Sequence, residues 1–147
     1  MKLKKHINYA ARSTWNHKTG GTTTVEGFTV NYDTPKEYEG EETAPCPDQL
    51  FLSSLTGCLN NTFLYYKKAI GAETLDLKID AEADVELFNP IGYRVTKIRI
   101  DVNVSSSPDF VEINRRCAER AREFCHLTRS IESAIPIEFV ITVNSLS

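Results

Sequence analysis

The alternation from Leu75 to Leu87 constrains this chain more than any other stretch. Leu75, Leu77, Ile79, Ala81, Ala83, Val85 and Leu87 share one parity, while Asp76, Lys78, Asp80, Glu82, Asp84 and Glu86 hold the other. Successive strand side chains point to opposite faces, so this is a long strand with one dry face and one charged face. A sheet wetted on one side is typically antiparallel, and its dry face needs a second layer to cover it. Asn89-Pro90 and Gly92 turn the chain, and Ile98, Ile100, Val102 and Val104 repeat the period in a second strand.

The covering layer lies in two helical stretches. Pro47 suits the first turn of a helix, where its missing N–H leaves no bond unmade, and Asp48 complements the positive helix end. Leu50, Phe51, Leu52, Leu55, Leu59, Phe63, Leu64 and Tyr66 then occupy most of the circumference. A helix apolar nearly all round is expected to be a buried central helix, and Gly71 stops it. Downstream, Ser105 to Asp109 open a second helix with Phe110, Ile113, Cys117, Ala121 and Phe124 on one stripe. A short helix from about Thr128 to Ala134 follows, and Ile137, Phe139, Ile141 and Val143 make a last strand.

Upstream of Pro47 the period is two again. Leu3, Ile7, Tyr9, Ala11 and Trp15 share a parity and predict a half-buried strand. Gly20-Gly21 and Glu26-Gly27 read as turns around Thr22–Val25 and around Phe28, Val30 and Tyr32, giving a three-stranded meander that Asp33-Thr34-Pro35 ends. Residues 36–46 form an acidic surface loop. The order βββ-α-ββ-αα-β predicts an α+β fold with largely antiparallel sheets. No repeat or long linker divides it, so residues 1–147 are expected to form one domain.

A net charge of −3 with no basic stripe argues against nucleic acid as a partner. The basic N-terminus leads into an alternating segment rather than an apolar core, so no signal peptide is expected. The long helix carries Ser, Thr, Gly and Asn and ends in Lys67-Lys68, so no membrane span is expected. These readings point to a cytoplasmic protein, where disulfides are transient rather than structural.

Four cysteines carry the chemistry worth weighing. Cys58 follows Gly57 in the middle of the apolar helix, and Cys125 closes a later one. A buried cysteine is ordinarily a small hydrophobe. Two on separate apolar faces leave open a thiol pair that meets in the fold and cycles through a disulfide. Gly57 adds to that, because a mid-helix glycine costs about 1 kcal/mol against alanine and opens space for a substrate or a close neighbour. Cys117 reads as core packing and the loop thiol Cys46 as incidental. His6, His17 and His126 read as surface or turn histidines. No C-x-x-C pair or paired Cys/His spacing supports a metal site. Ser53-Ser54 lacks a G-x-S-x-G elbow, and no glycine loop cradles phosphate. No metal or organic cofactor is expected.

The segment Thr34-Pro35-Lys36-Glu37, the run Pro47-Asp48-Gln49-Leu50-Phe51 leading to Thr56-Gly57-Cys58, and Ala121-Arg122-Glu123-Phe124-Cys125 with its following helix have a counterpart. With the element order, they resemble the OsmC/Ohr family of thiol-dependent organic hydroperoxide reductases along essentially the whole chain. The resemblance implies that Cys58 is the peroxidatic cysteine and Cys125 the resolving one, following the usual oxidation ladder. It places Asp48 where those enzymes carry a Glu paired with an arginine, and it implies an intertwined homodimer with sites at the subunit interface. Asp48 and Cys58 lie about 15 Å apart along one helix, so Asp48 is expected to serve a partner chain's thiol.

The departure is the arginine. Thr19 stands at its position, flanked by Lys18 and Gly20. Lys18, then Arg12, are the expected substitutes, with Arg129 a further candidate; lysine brings charge without the forked geometry. The expected function is reduction of organic hydroperoxides, with hydrogen peroxide as a further substrate, through a Cys58–Cys125 cycle restored by an external thiol. Phe51, Leu55 and Leu59 around Cys58 favour an alkyl peroxide. The alternative is a non-catalytic small-molecule binding module on the same fold, its thiols buried and reduced.

Overall fold

The computed structural model describes residues 4–146. Contacts group the chain into two compact units, one up to Leu50 and one from Phe51 onward. The first holds strands β1 (Arg12–Trp15), β2 (Gly20–Val25) and β3 (Phe28–Asp33), in that order and antiparallel. Helix α1 (Pro47–Ile70) begins there and continues into the second unit. The second unit adds β4 (Asp76–Phe88), β5 (Gly92–Ser106), α2 (Val111–Phe124), α3 (His126–Ile131) and β6 (Ile137–Ser145).

The meander forms as expected, with two corrections. The first strand is only Arg12–Trp15 and is exposed throughout; Leu3 lies outside the described residues, and Ile7 and Tyr9 are exposed. Gly20-Gly21 is not a turn but the start of β2. The chain turns one step earlier, where the Asn16 side-chain carbonyl accepts the N–H groups of Lys18 (2.8 Å) and Gly20 (3.2 Å). The glycines serve packing: a Cβ on Gly20 would lie 2.8 Å from Asp33 Oδ1, and one on Gly21 would run into the Tyr32 ring. Asp33 is the buried polar hub of this unit. Its Oδ1 accepts from the Thr19 hydroxyl and the Thr34 N–H, and its Oδ2 from the Thr43 N–H and hydroxyl. Those donors, the Thr19 and Thr43 hydroxyls foremost, hold its carboxyl well below the usual carboxylate range.

In the second unit β5 is the central strand, flanked by β4 and β6. Ile98, Ile100, Val102 and Val104 of β5 are fully buried, while Lys97 and Arg99 on the other parity reach Glu138 and Asp101 on the charged face. The β4–β5 hairpin is antiparallel, but β6 runs parallel to β5. A two-helix crossover brings the chain back to the end where β5 began and adds β6 on the side away from β4, and α2 packs on β5 and β6 along the way. Cys117, Ala118 and Ala121 of α2 join Leu55, Leu59 and Phe63 of α1 in one core cluster. The short helix begins two residues earlier than the period suggests, at His126.

α1 ends as its sequence dictates. Gly71 takes φ +78°, and the N–H groups of Gly71 and Ala72 both donate to the Lys67 carbonyl at 3.0 Å. The expectation of burial all round is corrected: within this chain only Leu55, Leu59 and Phe63 of α1 are buried, while Leu64 and Tyr65 are 46% and 50% exposed. Within the second unit, core residues of the sheet and of α2 cluster with Leu55, Leu59 and Phe63 on one face of the helix. Among the described residues no helix is long and apolar enough to cross a membrane.

Candidate active site

Cys58 lies two turns into the part of α1 that packs on the core, half-buried beside Leu55 and Leu59. Cys125 is fully buried at the junction where α2 ends and α3 begins. Both are free thiols. The fold brings them near each other: Cys125 is close enough to push the Cys58 thiol upward. Because α2 stops at Cys125 and α3 starts at once, the next two residues also face Cys58. His126 Nδ1 lies 3.6 Å from Cys58 Sγ, and the Leu127 N–H donates to the same sulfur.

The electrostatics of the thiol are a balance. Burial pushes the Cys58 thiol above its ordinary range, the Leu127 N–H pulls it down, Cys125 pushes it up again, and the Thr62 hydroxyl lowers it, for a net rise. Thiolate, not thiol, is the nucleophile. Within the chain the balance therefore favours the protonated, silent form unless a charge offsets it.

The other predicted residues sit elsewhere. Cys117 is buried in the core, and burial raises its thiol despite Arg116 and Lys67. Cys46 is half-buried before α1, its N–H bonded to the Gln49 side-chain oxygen at 2.9 Å. Asp48 is exposed in the first turn of α1. Lys18 is not a free cation but pairs with Glu41 at 3.4 Å. Arg12 is exposed on β1 and Arg129 exposed on α3. Gly57 has nothing within 4 Å of the place a Cβ would occupy, so no neighbour in this chain needs its bareness. His126 is the site residue that sequence reading missed. Its signal was adjacency to Cys125 at a helix boundary.

A sequence profile described as OsmC-like protein matches residues 40–140, well over half the chain. The chain belongs to the OsmC-like family. Among curated relatives, organic hydroperoxide resistance protein-like 2 of Staphylococcus saprophyticus is 24% identical over 111 residues, 75% of this chain and 77% of that protein. Two solved structures share the fold. The OsmC like protein from Mycoplasma pneumoniae superposes with a TM-score of 0.80 at 17% identity, covering 93% of this chain and 97% of that one. An organic hydroperoxide resistance protein from Elizabethkingia anophelis gives 0.74 at 16% identity, covering 98% and 100%. The OsmC-like fold that the resemblance implies is thus the fold observed.

Proposed function

We propose that this OsmC-like protein reduces organic hydroperoxides in oxidative-stress defence, with Cys58 as peroxidatic and Cys125 as resolving thiol. The observation that carries the reading is the nearness of the two thiols, close enough for Cys125 to act on Cys58 electrostatically although they lie 67 positions apart in sequence and come from different helices. The peroxide takes two electrons from the Cys58 sulfur and leaves as alcohol, Cys58 becomes a sulfenic acid, Cys125 condenses with it as water leaves, and an external dithiol reduces the resulting disulfide. Leu55, Leu59 and Phe51 beside Cys58 suit an alkyl chain on that peroxide. One observation favours the alternative, a binding module: the net upward push on the Cys58 thiol. A peroxide-consumption assay with a dithiol reductant separates the two. Steady consumption of an alkyl hydroperoxide, and a Cys58–Cys125 bridge by mass mapping after one equivalent, is the expected result. Negligible consumption favours the binding module, and a Cys117–Cys125 bridge would remove Cys125 from the resolving role.

The working form is a homodimer in which Asp48 serves the site of the partner chain. Leu64, Tyr65, Leu75 and Leu87 expose large apolar surface that a second copy would cover. Light scattering at micromolar concentration is expected to give the mass of two chains; a well-folded monomer would count against it.

A further inference from the structure

We propose that His126 is a catalytic residue, its Nδ1 exchanging a proton with the Cys58 thiol and so holding that sulfur as thiolate for attack. The inference rests on the reading of Cys58 as the peroxidatic thiol. The contact is 3.6 Å, within hydrogen-bonding reach for sulfur, and it joins the middle of α1 to the first residue of α3. With Nδ1 unprotonated the ring accepts from the Cys58 S–H; with Nδ1 protonated it donates to the thiolate. A histidine ring nitrogen donates or accepts according to its tautomer and charge, so it can do either. His126 is exposed, which leaves its other nitrogen open to water.

The surroundings give this ring a task. Among the described residues, the titratable groups that act on or contact Cys58 are Cys125, from the end of α2, and His126. Thr62 of α1 and the Leu127 N–H of α3 are uncharged donors. On α3 the nearest cation by helical spacing is Arg129, one turn beyond His126. Lys18, the substitute expected from sequence, is engaged with Glu41. A half-buried thiol pressed by a second thiol needs a positive charge to ionise, and an imidazolium in contact with the sulfur supplies it.

The proton then has a complete path. It leaves Cys58 for His126 Nδ1, and the thiolate attacks the terminal peroxide oxygen. The S–O bond forms as the O–O bond breaks, sulfur giving up two electrons and the peroxide gaining them. The departing alkoxide takes the proton from His126 and leaves as alcohol. The Cys125 thiol displaces water from the Cys58 sulfenic acid, and a dithiol later reduces the disulfide.

The test is the pH dependence of Cys58 alkylation by iodoacetamide in the reduced full chain, read by mass spectrometry for wild type, His126→Asn and His126→Gln. The midpoint is expected to rise in both variants by about one unit, with alkylation and peroxide reduction at neutral pH slowed on the order of tenfold. Unchanged midpoints and unchanged peroxide kinetics overturn the role of His126 and leave the peroxidase reading standing. Raised midpoints without peroxide consumption in the wild type support the proton exchange and overturn the peroxidase reading. A second measurement needs no His126 variant. Thiolate ultraviolet absorbance lost on Cys58→Ser is expected at neutral pH in the wild type; its appearance only above about pH 8.5, the range of an unassisted thiol, counts against the proposal.

Discussion

Cys58→Ser is expected to reduce peroxide consumption to the rate seen without protein, while Cys125→Ser is expected to spare the first turnover. The difference follows from what each sulfur does. A serine hydroxyl does not ionise near neutral pH and does not attack an O–O bond, so loss of Cys58 removes the nucleophile, an effect on the order of 10³-fold or more. Cys125 acts after the bond has broken. With serine there, one equivalent of peroxide is still consumed, but the Cys58 sulfenic acid has no thiol beside it to condense with. It should be trapped by a sulfenic-acid reagent and pass to sulfinic acid under excess peroxide. Steady-state turnover then falls to whatever an external thiol can rescue. Rapid-mixing measurement of the first equivalent, beside steady-state assay, separates the two variants. Equal loss of the first turnover in both would show that Cys125 shapes the nucleophile rather than resolving it. Cys46→Ser, which removes a thiol that the proposed cycle does not use, is the control for general thiol loss.

Several of these features were legible in the chain because their causes are local. Pro47 and Gly71 punctuate α1, and its observed end differs from the expected one by a single residue. The parity of β4 is fixed by its own residues, since a slip of one would put Asp80 and Glu82 on the dry face. The direction of β6 is a different matter. A period of two says nothing about which way a strand runs, although the two helices before it carried the hint of a crossover. Gly20-Gly21 looked like a turn because glycine is common in turns. Its real cause is the approach of Tyr32 and Asp33 from a strand paired later in the chain. The apolar circumference of α1 predicts burial all round, but within the described chain Leu64 and Tyr65 stay exposed. His126 was passed over because its contact is not local. That α3 begins against the middle of α1 is a product of packing across 68 residues; adjacency to Cys125 hints at it, and the distance to Cys58 reveals it.

Asn114→Ala is expected to be the most destabilising substitution outside the apolar core, by about 2–4 kcal/mol. Asn114 is fully buried on α2, and every one of its polar atoms is engaged. Its amide nitrogen donates to the Glu73 carbonyl (2.6 Å), Ser106 Oγ (2.8 Å) and the Phe110 carbonyl (3.1 Å), and its Oδ1 accepts from the Thr74 hydroxyl (2.6 Å). One side chain thus ties the entry to β4, the end of β5 and the first turn of α2. Among the described residues no buried side-chain polar atom lacks a partner, so the fold has matched these groups closely. Alanine would leave the Thr74 hydroxyl without its acceptor and the Glu73 carbonyl and Ser106 oxygen without the amide donor, Ser106 keeping only its bond to the Ser107 carbonyl. Urea unfolding should show the loss as a lower midpoint at constant slope. Asn114→Asp sharpens the test. It keeps the acceptor for Thr74 but sets a carboxylate against the Glu73 and Phe110 carbonyl oxygens, which raises that carboxyl above its unfolded value. A group with a raised folded pKa stabilises only while protonated. The variant should therefore recover stability as pH falls toward the ordinary carboxylate range and lose it as pH rises. A loss below about 0.5 kcal/mol in Asn114→Ala, the range of an ordinary surface change, would mean that this junction is held by other contacts.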